Sequence, residues 1–214
     1  MKKKLIAVVA IVLVLGGGSA FYFSRNKKTD SSSATTSSSS SSNQFSAVPT
    51  DGSFKATITT QTDSGQTQTV MEHDPSQSIT KVTGTANGAS YTYYYTNDAF
   101  YMCQTEDSCM KYASGSSFAN AFDPSSYQYD QGQLDAYKNT SLYQGEKACP
   151  AGKCGVWEVA NSDSSKLTIY VDTATHRISQ VESTVGTAKS TITYDFNPVS
   201  ITLPANATEV NLPQ

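Results

Sequence analysis

Ser78-Ile79-Thr80-Lys81-Val82-Thr83-Gly84-Thr85, running on to Asn87-Gly88, then Ala89-Ser90-Tyr91-Thr92-Tyr93-Tyr94-Tyr95-Thr96 is the stretch that decides the fold. Asn-Gly between two runs rich in β-branched and aromatic residues is the strongest short hairpin signal, because both central residues of a type I′ turn need positive φ. Side chains alternate along a strand, so Tyr91, Tyr93 and Tyr95 fall on one face. That face needs cover.

The same rhythm continues outward. Phe54 to Thr60 alternates apolar and polar residues, Asp63-Ser64-Gly65 supplies a turn, and Gln68 to His73 returns. Downstream, Asn97-Asp98 turns the chain into Ala99 to Cys103, which pairs with Cys109 to Tyr112 across the polar loop Gln104 to Ser108. Residues 113 to 140 break the pattern with Ser, Asn, Asp, Gly and Pro. A short helix around Gln131 to Asn139 would place Leu134 and Tyr137 on one side, at i, i+3. Strands resume at Leu142 to Ala148, Gly155 to Ala160, Lys166 to Asp172, Ile178 to Thr184 and Thr187 to Phe196. The expected domain is mainly β: a strongly curved antiparallel sheet, a half-barrel of about ten strands, with the 113 to 140 excursion as a helix and loop lid.

Three segments follow from composition. In residues 1–28, Lys2 to Lys4 precede the uncharged run Leu5 to Phe23, long enough at about 1.5 Å per residue to span a bilayer as a transmembrane helix. Small residues up to Ala20 also fit a signal-peptidase site, and Phe21-Tyr22-Phe23 favour an uncleaved signal anchor. No Cys ends the apolar run, so a lipobox is missing. Residues 29–50 are Ser/Thr-rich, with Ser37 to Ser42 unbroken, and read as a disordered linker with an r.m.s. reach on the order of 25 Å. Residues 51–214 form the folded domain.

Beyond residue 28 nine cations face 18 acids, a net charge of −9, and the cations are scattered singly from Lys55 to Lys189. Phosphate neutralisation needs a basic footprint, so nucleic acid is excluded as a partner. The four cysteines fall into local pairs, Cys103 with Cys109 and Cys149 with Cys154, each bracketing a short loop between adjacent strands. Of three possible pairings this local one is favoured, since a hairpin brings both ends together. A four-cysteine zinc site is the alternative, with looser spacings than zinc knuckles use. Disulfides imply an extracytoplasmic domain on a single-pass anchor in the cell membrane.

Catalytic patterns are thin: two histidines, no H-E-x-x-H, no G-x-S-x-G, no P-loop and no dinucleotide fingerprint. Glu72-His73-Asp74 cannot converge on one strand, because His73 points opposite to its neighbours, and it reads as a solvated strand end. His176 lies in a turn. No catalytic residue, metal or cofactor is assigned. Asn139-Thr140-Ser141 and Asn206-Ala207-Thr208 match the glycosylation pattern and are discounted, because the basic start, single-pass segment and serine stalk look bacterial.

Leu167-Thr168-Ile169-Tyr170-Val171-Asp172, the turn to Arg177-Ile178, and Thr193-Tyr194-Asp195-Phe196-Asn197-Pro198-Val199-Ser200-Ile201-Thr202-Leu203-Pro204 resemble the closing strands of the LolA/LppX-like lipoprotein-carrier superfamily. The Gly84 to Tyr95 hairpin, Phe100-Tyr101-Met102 and Gly145-Glu146 occur in the order that superfamily has, so the resemblance runs from about Phe54 to Pro204. It implies a half-barrel that binds an acyl chain of a lipid or lipoprotein without catalysis. Tyr91, Tyr93, Tyr95, Trp157, Ile169 and Tyr194 are the expected cavity wall. A surface-displayed interaction or adhesion domain, its cavity filled by its own side chains, is the alternative.

Overall fold

A period-two pattern broken by turn residues yields strands, and among the described residues the breaks at 63–64, 75–78, 173–175 and 186–187 are turns. The computed structural model describes residues 52–86, 89–105, 107–113, 140–160 and 165–210, with residues 129, 134, 135 and 137. Expectations for the anchor and the serine-rich linker lie outside these residues, as do most of 113 to 140. Among the described residues no helix is long and apolar enough to cross a membrane.

Six strands come first: β1 (Phe54–Thr62), β2 (Gly65–Asp74), β3 (Ile79–Ala86), β4 (Ala89–Tyr95), β5 (Ala99–Thr105) and β6 (Ser108–Ala113). Beyond the excursion follow β7 (Ser141–Cys149), β8 (Gly152–Ala160), β9 (Lys166–Asp172), β10 (Ile178–Val185), β11 (Ala188–Asp195) and β12 (Ala207–Val210). They form one sheet in the order β12-β6-β5-β4-β3-β2-β1-β11-β10-β9-β8-β7. Two meanders, β1 to β6 and β7 to β11, therefore meet back to back where β1 pairs with β11, Ile58 opposite Ile192.

The antiparallel β architecture matches the sequence expectation, with two corrections. There are twelve strands rather than about ten, and β12 pairs in parallel with β6, Ala207 opposite Cys109. This four-residue strand has no alternation to announce it; the parallel ladder exists because the chain returns across the sheet after β11. The strongly curved half-barrel is the second correction. The sheet is uncurled and open in its hydrogen-bonded order, and strands share extensive contact only with their sheet neighbours. Curvature is therefore not what covers the tyrosine row. Cover instead comes in part from the excursion, where Leu134 is fully buried, Tyr129 nearly so, and Leu134, Asp135 and Tyr137 have helical backbone.

One face of the sheet carries the core, here called the inner face. Phe54, Ala56, Ile58, Met71, Val82, Leu167, Val181 and Ile192 lie on it and are buried, while Thr57, Glu72, Lys81, Thr168 and Glu182 face the other way. Full burial of a Leu, Ile or Phe side chain stabilises by about 1.5–3 kcal/mol, and the gain depends on register, since a one-residue slip would turn every entry outward. Outer-face pairs Lys81–Glu72 at 3.6 Å and Lys166–Glu158 at 2.8 Å are part-exposed and contribute little.

Both disulfides form as the spacing suggested, Cys103–Cys109 across β5 and β6 and Cys149–Cys154 across β7 and β8. With every cysteine so engaged, none is left to ligate zinc.

Candidate functional site

Register settles where the six candidate wall residues stand. Across successive strands Tyr91 faces Gly84, then Thr69, Ile58, Ile192, Val181, Ile169 and Trp157, one row that runs through eight strands. The adjacent row holds Tyr93, Val82, Met71, Ala56 and Tyr194. A third joins Tyr95, Thr80, His73 and Phe54. All six thus share the inner face, on three neighbouring rows, although they come from four strands far apart in sequence.

Their environments differ. Tyr91 lies down on the sheet: a Cβ added at Gly84 would collide with its phenolic oxygen. Glycine at 84 is what lets the ring cross that strand, and its hydroxyl then shares a hydrogen bond of 3.1 Å with Thr69 Oγ1. Tyr91 stacks on Tyr93 with centroids 5.1 Å apart, Tyr93 tilts against Phe100 at 5.6 Å, and Tyr95 and Tyr112 meet the same Phe100 at 5.0 and 6.0 Å. Such offset aromatic contacts each add about 0.5–1.5 kcal/mol beyond area burial. Phe100 and Tyr112, not singled out from the sequence, complete this cluster; the same alternation that marked Tyr91 places them.

Tyr194 is buried beside Tyr129 of the excursion and close to Phe54, centroids 6.5 Å apart. Burial drives its phenol well above the usual range, and Tyr129 adds to the shift. Burial likewise raises Tyr91, and pushes Tyr93 up to about 12 with a smaller contribution from Tyr91. These phenols stay neutral at physiological pH, so the face is an apolar surface with hydroxyl tips rather than an acid-base array. Ile169 is fully buried. Trp157 and Tyr95 are half-buried, the indole packed on Tyr143 at 4.9 Å.

Glu72, His73 and Asp74 diverge as the alternation required. His73 is on the inner face against Phe54, centroids 5.4 Å apart, while Glu72 pairs with Lys81 on the other side. Asp74 is not solvated. It is buried and accepts hydrogen bonds from Ser76 Oγ at 2.6 Å, Ser76 N at 3.0 Å, Gln77 Nε2 at 2.9 Å and Ile201 N at 3.4 Å. Chiefly the Ser76 hydroxyl holds its carboxyl below the ordinary value. The correction has a physical cause: residues 197–206 cross this strand end, with Val199 N donating to Ser53 Oγ at 2.7 Å. His176 is an exposed turn residue, at φ 59°.

Among the described residues no cluster of His, Cys, Asp or Glu could hold a metal. An open pocket of about 570 Å³ lies at the strand end beside Tyr95, lined by His73, Pro75, Ser78, Thr80, Tyr95, Thr96 and Asn97. The sequence reading missed it, because it is made by two turns that only sheet pairing brings together.

A solved structure similar to this one is that of the Mycobacterium tuberculosis lipoprotein LppX: TM-score 0.50 and 12% identity over 72% of this chain and 91% of that one. The fold is LppX-like. At that identity the likeness shows the fold alone, which agrees at that level with the LolA/LppX-like resemblance of the closing strands. LprF from Mycobacterium bovis is similar with a TM-score of 0.45 and 14% identity over 73% and 90% of the two chains. The Pseudomonas aeruginosa MucA/MucB complex is similar with a TM-score of 0.42 and 14% identity over 69% of this chain and 53% of that one. No family model matches the sequence, and no curated protein matches it.

Proposed function

We propose that this is a non-catalytic binding protein of the cell envelope, which holds an acyl chain of a lipid or lipoprotein between the inner face and its cover. In this reading residues 1–28 anchor it in the membrane, 29–50 are a flexible stalk, and 51–214 form the extracytoplasmic domain. The observation that carries it is the alignment of Tyr91, Tyr93, Tyr95, Trp157, Ile169 and Tyr194 on three adjacent rows of one open sheet. Transfer of a chain from water onto such a surface is favourable by about 25 cal/mol per Å² before ordering costs. The resemblance of residues 167–204 to the carrier superfamily supports the same ligand class.

A second reading, an interaction or display domain without a small ligand, draws on one fact: Tyr91, Tyr93, Ile169 and Tyr194 are closed off by the protein's own atoms. Native mass spectrometry with lipid extraction on the full-length chain separates the two. Near-stoichiometric lipid supports the binding protein. A clean protein mass, with no binding of a fluorescent fatty-acid probe, overturns it in favour of the display domain.

A further inference from the structure

The pocket at the strand end has a chemistry unlike that of the rows behind it. Turn 75–78 between β2 and β3, and turn 96–98 between β4 and β5, stand side by side because β3 pairs with β4. His73 and Thr80, joined through Nδ1 and Oγ1 at 3.0 Å, belong to the inner-face row from which the pocket opens. Pro75 and the half-buried ring of Tyr95 supply apolar surface. Exposed Ser78 and Asn97 bring a hydroxyl and an amide.

Both turns are held in place. Ser78 adopts φ 54° with its N–H on Pro75 O at 3.3 Å. Thr96 Oγ1 accepts from Asp98 N at 3.3 Å and Ala99 N at 2.9 Å. The turn backbones that carry Ser78 and Asn97 are therefore fixed before any ligand arrives, which lowers the ordering cost of binding.

No Lys, Arg, Asp or Glu lines the pocket. Nearby Asp74 is occupied by Ser76, Gln77 and Ile201. With no permanently charged side chain in its lining, and with the His73 imidazole engaged by Thr80, the site repays little of the desolvation of a phosphate, a carboxylate or a cation. A bare alkyl chain fits no better, since it would strip water from an amide and hydroxyls and return no hydrogen bond. A compact ring that has an apolar face and several hydroxyls satisfies both kinds of wall: its face on Tyr95, its hydroxyls on Ser78, on Asn97, which both donates and accepts, and on the Thr80–His73 pair. The volume lies within the range of small-ligand sites.

We propose that this pocket binds an uncharged, hydroxyl-rich ring: a neutral sugar unit, either free or carried on a lipid. The site stands independently of the acyl-chain reading, although Tyr95 touches both.

The test uses the full-length chain in lauryldimethylamine oxide micelles, which carry no sugar headgroup. Saturation-transfer NMR is recorded with the methyl glycosides of glucose, galactose and mannose and with N-acetylglucosamine. Retention of diacylglycerol is compared with that of its monoglucosyl derivative. At least one free sugar should bind with a Kd of about 1 mM, or the glucosylated lipid should be retained about tenfold better than diacylglycerol. The first outcome identifies a soluble glycan as the source, the second a headgroup.

In either case Asn97→Ala combined with Ser78→Gly, two exposed positions, should weaken the sugar-dependent signal about tenfold at unchanged melting temperature. Tyr95→Leu should abolish it. Silence from all four sugars with equal retention of the two lipids overturns the proposal, and so does a sugar signal that the double variant leaves untouched. Failure to retain diacylglycerol alongside a variant-sensitive sugar signal would count against the acyl-chain reading only.

Discussion

The two meanders that meet at β1 and β11 solve the same problem with different side chains. In β4 to β6 the inner face is aromatic: Tyr91, Tyr93, Tyr95, Phe100 and Tyr112 tile over one another, and Tyr91 needs Gly84 beneath it. In β8 to β10 it is chiefly aliphatic, with Val159, Leu167, Ile169, Val171 and Val181 at 6% exposure or less. Aliphatic side chains interdigitate, whereas flat rings stack and tilt against one another. Each half also ends in a disulfide-stapled hairpin, and among the described residues β6 has a further partner, β12, whereas β7 has none beyond β8. Strand β7 is left as an edge, with Leu142 64% and Tyr143 43% exposed. A bulge between Tyr143 and Glu146, at Gly145 with φ +88°, distorts that edge against further pairing.

Charge placed in the aromatic half should have the largest effect. Tyr93→Asp buries a carboxylate at a position only 4% exposed, with an expected loss of about 4 kcal/mol in urea unfolding. Retention of the fold with selective loss of lipid would instead mean that the ring borders free space. Ile169→Ala tests the aliphatic half: its side chain is fully enclosed, about 3 kcal/mol of stability should be lost in the same assay, and lipid binding should fall less than for a change in the aromatic half. An equal loss of lipid binding at constant stability would erase the distinction between the halves.

The staples come next. Replacing either cysteine pair by alanine should cost about 2 kcal/mol, since each closes a short loop. Amide exchange should then accelerate along β7 more than along β6, where β12 still holds the ladder. Gly84→Ala should cost about 1–2 kcal/mol by lifting Tyr91 off the sheet and breaking its bond to Thr69. Tyr91→Ala in the same chain should recover part of that loss in thermal melts.

The smallest effect is on pH. Because Asp74 titrates below its unfolded value, its contribution is complete above the usual carboxylate range and fades as pH falls through the folded value. Asp74→Asn should lower the melting temperature at pH about 7, where that contribution is complete, and flatten the acid limb, so that the two profiles converge as pH falls. Residues 197–206 lean on this carboxylate, so the acid limb should also report on their contact with the β2 to β3 turn.

Much of this was legible in the chain itself. Alternation and turn residues marked eleven of the twelve strands, because half-buried strands write a period of two into the sequence. The same parity put Tyr91, Tyr93 and Tyr95 together, and loop spacing paired the cysteines. Beyond local range the sequence was silent. That β1 joins β11, and so aligns Tyr91 with Ile169 and Trp157 across eight strands, is a pairing between residues far apart in the chain, Lys55 with Asp195 at one end and Gln61 with Lys189 at the other. The burial of Asp74, the parallel strand β12 and the pocket between turns 75–78 and 96–98 depend on the same kind of contact. Strand identity follows from each residue's neighbours in the chain, whereas strand order and the sites it assembles are decided by packing over the whole sheet, which no local pattern encodes.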